Sequence, residues 1–140
     1  MRLPIKNKAY QLLEQYCDGY NRRDLTFLSS LFTQECNVWG SGPDEYRVGI
    51  NALEMQHQRD WAQSEKGEIQ IVSYISPPDD APWAAMIGRA IITIGGVVHQ
   101  FDHLRGTITL AQENGLWKIA HMHASFPDFR NAPGGSFPQV

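Results

Sequence analysis

The N-terminal half of the chain carries apolar residues at the three- and four-residue spacing that is typical of amphipathic helices. A first helix is predicted from about Asn7 to Tyr20, and its apolar stripe is formed by Leu12, Leu13, Tyr16, Cys17 and Tyr20. Asp24 is a good N-cap for a short second helix. A third helix is predicted from about Ile50 to Ala62, with one stripe formed by Ile50, Leu53, His57 and Trp61.

After the third helix the sequence predicts only strands, in which apolar and polar residues alternate. The long strands are expected at about Glu68 to Ser76, Trp83 to Ile94, Val97 to Leu110 and Leu116 to Phe126. The segments between them have turn chemistry and comprise Pro77–Asp80, Gly95-Gly96 and Glu113–Gly115. A shorter strand is expected from Cys36 to Gly40, and the loop Ser41–Asp44 follows it.

Helices that precede a run of hairpin-linked strands are typical of an α+β fold. We expect the helices to cover one face of a curved antiparallel sheet. The length of 140 residues suits a single domain that spans residues 1–140. Its ordered core is expected at about residues 7–127, and residues 128–140 are expected to form an irregular tail because they are rich in proline and glycine.

The last predicted strand has two different faces. A period of two places Trp117, Ile119, His121, His123 and Ser125 on one face. The other face carries small or apolar residues around Lys118, namely Leu116, Ala120, Met122 and Ala124. Since the helices cover only one side of the sheet, the face with His121 and His123 is expected to form the interface of a homodimer.

His121 and His123 also permit a different interpretation. Two histidines at positions i and i+2 of a strand project the same way, about 7 Å apart, which suits metal binding. His99 or His103 on the paired strand would then supply a third ligand. Isolated histidine pairs are weak evidence for a metal. We therefore favour interface packing for this pair and assign no metal and no cofactor.

Charge and composition exclude several classes of function. The chain has 12 basic and 15 acidic residues, a net charge of -3, and Arg22-Arg23 is its only adjacent basic pair. Binding to nucleic acid or to an anionic membrane is therefore not expected. No apolar run has the length of a signal peptide or a membrane span. Cys17 and Cys36 are too few for a disulfide framework, and reduced cysteines indicate a cytoplasmic protein.

Several motifs together resemble a known superfamily. They are Tyr16, the segment Asn21–Leu25, Val48-Gly49, Trp61 and the closing pattern Gly-x-Trp-x-Ile-x-His-x-His-x-Ser. From about Leu12 to Ser125 the chain resembles the SnoaL-like branch of the nuclear transport factor 2-like superfamily. It is also similar to ketosteroid isomerase and to the association domain of calcium/calmodulin-dependent kinase II. The resemblance implies a cone of three helices wrapped by a bent sheet, with an internal pocket and dimerisation through the outer sheet face.

The strand alternation and the resemblance together indicate a candidate site formed by Asp102 and Tyr16. Period two places Asp102 on the same face as Leu104, Ile108 and Leu110, so its carboxyl group is expected to point inward and to stay protonated near neutral pH. A neutral acid in an apolar pocket donates a hydrogen bond to a developing oxyanion. Tyr16 and Asp102 resemble the oxyanion-binding pair of ketosteroid isomerases. The alternative for Asp102 is a strand-end residue that reaches solvent or Arg105.

The general base of ketosteroid isomerases falls at Gly40 in this chain, so the same steroid isomerisation is not expected. His57 is the one polar residue of its helical stripe and is a candidate for the missing base, because imidazole titrates near neutrality. The alternative is a buried histidine bonded to a neighbour. Asp60 is expected to be a solvated charge on the helix face. Candidate ligand-binding residues are Phe32, Trp39, Trp61, Trp83 and Met86.

Three hypotheses follow from these residues. The first is a cofactor-independent isomerase, cyclase or dehydratase that acts on a small apolar molecule, with Tyr16, Asp102 and His57 as catalytic residues. It requires Tyr16 and Asp102 to converge on one cavity within roughly 5 Å. The second is a non-catalytic homodimer that binds a ligand or serves as an association module. The third is a metal-dependent enzyme that uses His121 and His123.

Overall fold

The computed structural model describes residues 5–75 and 81–139. The predicted strand end at Ser76 and the predicted turn at Pro77–Asp80 lie outside the described residues. The helices of the described part are α1 (Ile5–Arg22), α2 (Leu25–Ser30) and α3 (Ile50–Ala62). Its strands are β1 (Phe32–Trp39), β2 (Tyr46–Val48), β3 (Lys66–Ile75), β4 (Trp83–Ile94), β5 (Val97–Glu113) and β6 (Leu116–Ser125).

The fold is mixed α+β, with a curved, unclosed sheet in the order β2-β1-β6-β5-β4-β3. Its pairs are antiparallel except for β1 and β6, which run parallel. The expectation of a purely antiparallel sheet was therefore wrong at this pair. The short edge strand β2 was not predicted either, because its three residues follow directly on a loop and give no alternating pattern.

Local signals in the sequence account for the first two helices. The Asp24 side chain accepts a hydrogen bond from the backbone N–H of Phe27 at 3.1 Å, which caps α2 as expected. Helix α1 lays its apolar stripe against the sheet, and Leu12, Leu13 and Cys17 are buried there. The core lies between the helices and the concave sheet face, where Ile108, Ile119 and Met122 are buried. Among the described helices, none has the length and apolarity required to cross a membrane.

A β-bulge in β5 reverses the face on which Asp102 lies. Phe101 pairs with Ala90 and Leu104 pairs with Gly88, so two residues of β5 stand opposite the single residue Arg89. His103 lies in the bulge and has a positive φ of 63°. Leu104 therefore points into the core, whereas the Asp102 side chain is 51% exposed.

A second bulge changes the faces of β6. Leu110 pairs with Ile119 and Thr109 pairs with His121, which leaves Ala120 as the extra residue. Ile119 is fully buried in the core. The predicted face that joined Trp117 and Ile119 to His121 and His123 was therefore wrong. Of that predicted face, only His121, His123 and Ser125 keep the outward orientation, because alternation restarts after the bulge.

Candidate functional site

A cavity of about 170 Å³ lies between α1, α3 and the concave face of the sheet. Most of its lining is apolar and includes Leu13, Leu53, Ile69, Met86, Ile108 and Met122. The exposed residues Trp39 and Ser41 belong to the same lining, so the cavity opens to solvent beside them. A dry protein cavity of about 150 Å³ holds a benzene molecule, so this volume suits a compound of about one ring.

Tyr16 and His57 meet at the polar end of this cavity. The Tyr16 hydroxyl lies 3.1 Å from Nε2 of His57, and the two side chains are 9% and 2% exposed. Burial lowers the pKa of His57 from 6.5 to about 4, so the imidazole is neutral at pH 7. Burial also raises the pKa of the Tyr16 phenol well above its usual value. The second ring nitrogen of His57, Nδ1, is buried without a hydrogen-bond partner among the described residues.

A second polar group at the same end consists of Tyr20, Asp60 and Gln56. The Tyr20 hydroxyl donates to Oδ2 of Asp60 at 2.9 Å, and Nε2 of Gln56 donates to Oδ1 of Asp60 at 2.8 Å. Burial raises the pKa of Asp60, while the two hydrogen bonds act in the opposite direction. Asp60 is therefore an acid that keeps its proton to a higher pH than an exposed aspartate does.

The prediction that Asp60 is a solvated helix-face charge was wrong. Gln56 and Asp60 are four residues apart and lie on one face of α3, next to His57. The spacing was visible in the sequence. The sequence could not show that Tyr20 of α1 contacts Asp60, because that contact depends on how α1 packs against α3.

Glu45 reaches the cavity from the loop between β1 and β2. Its Oε2 accepts the backbone N–H of Gly42 at 2.9 Å, and its Oε1 lies 3.2 Å from a guanidinium nitrogen of Arg59. Nε2 of Gln56 also donates to Oε1 at 3.4 Å. A Cβ atom built on Gly40 would lie 2.2 Å from Oε2, so the Glu45 carboxylate fills the space of the missing Gly40 side chain.

Asp102 lies outside the cavity, contrary to the expected inward orientation. It does not belong to the lining, and its carboxylate is 3.6 Å from Arg89 on the exposed side of the sheet. The expected convergence of Tyr16 and Asp102 is therefore absent. The bulge at His103 is the physical reason, since it shifts the alternation of β5 by one residue. An exposed pair of this kind contributes about 0–1 kcal/mol to stability.

The expected ligand-binding residues divide into two groups. Trp39 and Met86 lie in the cavity lining. Phe32, Trp61 and Trp83 do not. Phe32 is 1% exposed and packs edge-on against the Tyr16 ring, with centroids 5.8 Å apart. Trp61 stacks on the His57 ring from outside the cavity, with centroids 5.8 Å apart.

His121 and His123 lie on the face of the sheet that points away from the helices, called the outer face below. His121 contacts the side-chain oxygen of Asn37 on the neighbouring strand, and His123 is exposed. In the described part of the chain, no group of three histidine, cysteine or acidic residues is arranged to hold a metal ion. Among those residues, none is placed to act as a third metal ligand beside His121 and His123.

Comparison with known proteins agrees with this architecture. The profile of the SnoaL-like domain family matches residues 10–128. A ketosteroid isomerase-like protein from Erwinia carotovora atroseptica is 17% identical, with a TM-score of 0.67 over 86% of this chain and 94% of that one. A candidate scytalone dehydratase from Novosphingobium aromaticivorans is 14% identical, with a TM-score of 0.69 over 86% and 83%.

A candidate SnoaL-like polyketide cyclase from Shewanella denitrificans is 15% identical, with a TM-score of 0.64 over 84% of this chain and 89% of that one. At these identities the likeness shows the fold alone. No curated protein sequence matches the chain. The predicted resemblance to SnoaL-like and ketosteroid isomerase-like proteins is confirmed.

Proposed function

The chain belongs to the SnoaL-like domain family, and we propose that it is a cofactor-independent proton-transfer enzyme for a small molecule that carries a carbonyl group. The observation that carries this proposal is the polar end of the cavity. There, the buried phenol of Tyr16 and the carboxyl group of Asp60, whose pKa is raised by burial, line the same cavity. Perturbed acids that line an apolar cavity are typical of catalytic sites.

Tyr16 and Asp60 have the chemistry to polarise a carbonyl oxygen. A phenol and a protonated carboxyl group donate hydrogen bonds without bringing a net charge into an apolar space, and burial raises the pKa of Asp60 in the direction that favours its protonated form. In this role neutral His57 donates its Nε2–H to the Tyr16 hydroxyl oxygen, at 3.1 Å, so that the Tyr16 O–H stays free to donate to the ligand. In this proposal Asp60 takes the role that the sequence had suggested for Asp102, and His57 positions Tyr16.

The cavity limits the ligand to a small, mostly apolar compound. Its volume of about 170 Å³ is close to that of a cavity that holds a single aromatic ring. The structural relatives named above are a ketosteroid isomerase-like protein, a candidate scytalone dehydratase and a candidate SnoaL-like polyketide cyclase. Isomerisation, dehydration or cyclisation next to a carbonyl group is therefore the proposed reaction class.

The proposal is tested by hydrogen–deuterium exchange of cyclohexanone in D₂O, followed by proton NMR. We expect the protein to accelerate exchange of the hydrogens next to the carbonyl group. Tyr16→Phe is expected to slow this exchange about 100-fold, because it removes one donor to the developing oxyanion. The matched control is Tyr10→Phe, since Tyr10 is outside the cavity lining. Equal exchange with and without the wild-type protein, or an unchanged rate in Tyr16→Phe, would reject the proposed activity.

A homodimer that binds a ligand without turnover is the second candidate function. The observation in its favour is the exposure of large apolar residues on the outer face, where Ile75 and Ile87 are 47% and 40% exposed. His123 lies on the same face. Exposed apolar surface on a sheet is typical of protein–protein contacts.

We expect sedimentation equilibrium to give the mass of a dimer for the wild-type protein. Ile87→Lys is expected to give the mass of a monomer, because it places a charge in the proposed apolar interface. Met55→Lys is the control, since Met55 is 70% exposed on α3, on the opposite side of the sheet. A wild-type monomer at high protein concentration would exclude the dimer.

A further inference from the structure

We propose that Glu45 is the general base of this site, and that Gln56 holds it beside Asp60 so that one carboxyl group accepts a proton while the other supplies one. This inference rests on the proposed proton-transfer function and names the residue that the function still lacks. The contacts of Glu45, Gln56 and Asp60 carry it, together with the absence of a side chain at Gly40.

The loop between β1 and β2 is built to hold the Glu45 carboxylate at the cavity. The backbone N–H of Gly40 donates to the carbonyl oxygen of Glu45 at 2.7 Å, and the backbone N–H of Gly42 donates to Oε2 at 2.9 Å. The Glu45 side chain is 23% exposed, and the residue belongs to the cavity lining. It therefore faces both the cavity and the mouth, where a base must meet an entering ligand.

Gly40 makes room for this carboxylate. Its φ is not positive, so the backbone conformation does not require glycine at this position. A Cβ atom would lie 2.2 Å from Oε2 and 3.0 Å from Cβ of Glu45. Any larger residue would therefore displace the Glu45 side chain. The carboxylate that the sequence lacks at Gly40 is supplied five positions later, from the other side of the loop.

Gln56 links the two carboxyl groups. It is 8% exposed and lines the cavity, and its Nε2 donates to Glu45 at 3.4 Å and to Asp60 at 2.8 Å. Both N–H groups of the amide are then used. Its Oε1 is buried without a donor among the described residues. A buried acceptor without a partner is costly, so a ligand O–H or N–H that donates to Oε1 would bind next to both carboxyl groups.

The surroundings of the two carboxyl groups differ in the sense that acid–base catalysis requires. Asp60 is packed among Tyr20, Gln56 and the apolar lining, and burial raises its pKa. Glu45 pairs with the guanidinium of Arg59 at 3.2 Å and accepts a backbone N–H. Unequal environments for two neighbouring carboxyl groups separate the acid from the base.

The proton balance of the step closes without a co-reactant. Glu45 takes a hydrogen from the carbon next to the carbonyl group, and the C–H electron pair forms the carbon–carbon double bond of an enol. The carbonyl oxygen takes the proton of Asp60. In the second half, for a ligand with a carbon–carbon double bond at the β,γ position, protonated Glu45 returns its proton to the γ carbon and the ligand's double bond moves to the α,β position. The enol O–H proton goes back to Asp60 as the carbonyl group forms again. Both carboxyl groups recover their initial state, and the ligand is isomerised.

The test uses nitrobenzisoxazole, whose ring opens when a base removes its carbon-bound hydrogen, the N–O bond breaks and a coloured cyanophenolate forms. We expect Glu45→Gln to lower this elimination rate about 100-fold, because the amide cannot accept the proton. Asp44→Asn is the matched control. Asp44 also pairs with Arg59, at 2.7 Å, but is absent from the cavity lining. It should keep the wild-type rate within about threefold.

Binding of p-nitrophenol, measured by calorimetry, reports whether each variant keeps an intact cavity. Retained binding together with lost elimination in Glu45→Gln supports the inference. A Glu45→Gln rate within about threefold of the wild-type rate would overturn it, as would an equal loss in Asp44→Asn. A wild-type rate no higher than that of free acetate at the same pH would also overturn it. Cyclohexanone exchange decides the proposed function separately, since its failure together with intact nitrobenzisoxazole elimination would remove only the reaction class.

Discussion

Phe32→Ala is expected to lower the free energy of unfolding by about 3–5 kcal/mol, the usual cost of removing a buried phenyl ring. Phe32 is 1% exposed at the start of β1, where it pairs with Ile119 of β6. Its ring also supports Tyr16 edge-on at 5.8 Å. The substitution would leave a void behind Tyr16 that the parallel β1–β6 pair has little freedom to close. Urea unfolding followed by tryptophan fluorescence measures the change.

Trp39→Ala is the matched control for Phe32→Ala, because the sequence had placed both aromatic residues in the pocket. Trp39 is 47% exposed and stacks on Tyr46, with centroids 4.2 Å apart. We expect its removal to cost about 1 kcal/mol or less, and to weaken p-nitrophenol binding because Trp39 lines the cavity. If Phe32→Ala unfolded at the wild-type urea concentration, or Trp39→Ala lost more stability than Phe32→Ala, this division into core and lining would be wrong.

Local patterns in the sequence were sufficient for most helices and strands. The apolar stripes of α1 and α3, the Asp24 cap and the Gly95-Gly96 turn each depend on residues close together in the chain. The parallel pairing of β1 with β6 does not. It joins two strands that are far apart in the sequence, and no pattern within either strand indicates which strand it pairs with.

The prediction for Asp102 was wrong because its orientation depends on how β5 pairs with β4, and not on the sequence of β5 alone. The period-two argument needs an uninterrupted strand, and the extra residue at His103 is not marked by glycine or proline. A positive φ is uncommon for any residue other than glycine, so the presence of a histidine at position 103 did not predict a bulge. Alternation was correct for Leu104 and Ile108 and wrong for the carboxylate two positions before Leu104.

The sequence predicted some residues of the site, but the contacts between them depend on how separate helices, strands and loops pack together. Tyr16 and His57 were predicted from their helical stripes, and the structure brings them within hydrogen-bond distance. Glu45 was missed because it lies in a loop, where no periodicity indicates the direction of a side chain. Its one sequence signal was Gly40 itself, since a glycine without a turn requirement often marks a close approach by another group.

The stability of the protein is expected to depend on pH through His57. Burial lowers its pKa from 6.5 to about 4, so the folded chain binds a proton here less readily than the unfolded chain does. The stabilisation is complete above pH 6.5 and is lost as the pH falls from 6.5 to about 4. At about 1.4 kcal/mol for each pH unit, the loss over this interval is about 3 kcal/mol.

Asp60 contributes with the opposite sign, because a raised carboxyl pKa favours the folded state at low pH and ceases to do so as the pH rises through the folded-state value. Comparison of variants isolates His57 from this effect. Urea unfolding at pH 7 and pH 4.5 should show a large fall in the free energy of unfolding for the wild-type protein and for His123→Gln, since His123 is exposed. The fall should be smaller by about 2–3 kcal/mol in His57→Gln, which has no imidazole to protonate. The same fall in His57→Gln as in the wild-type protein would mean that His57 is accessible to protons in the folded state.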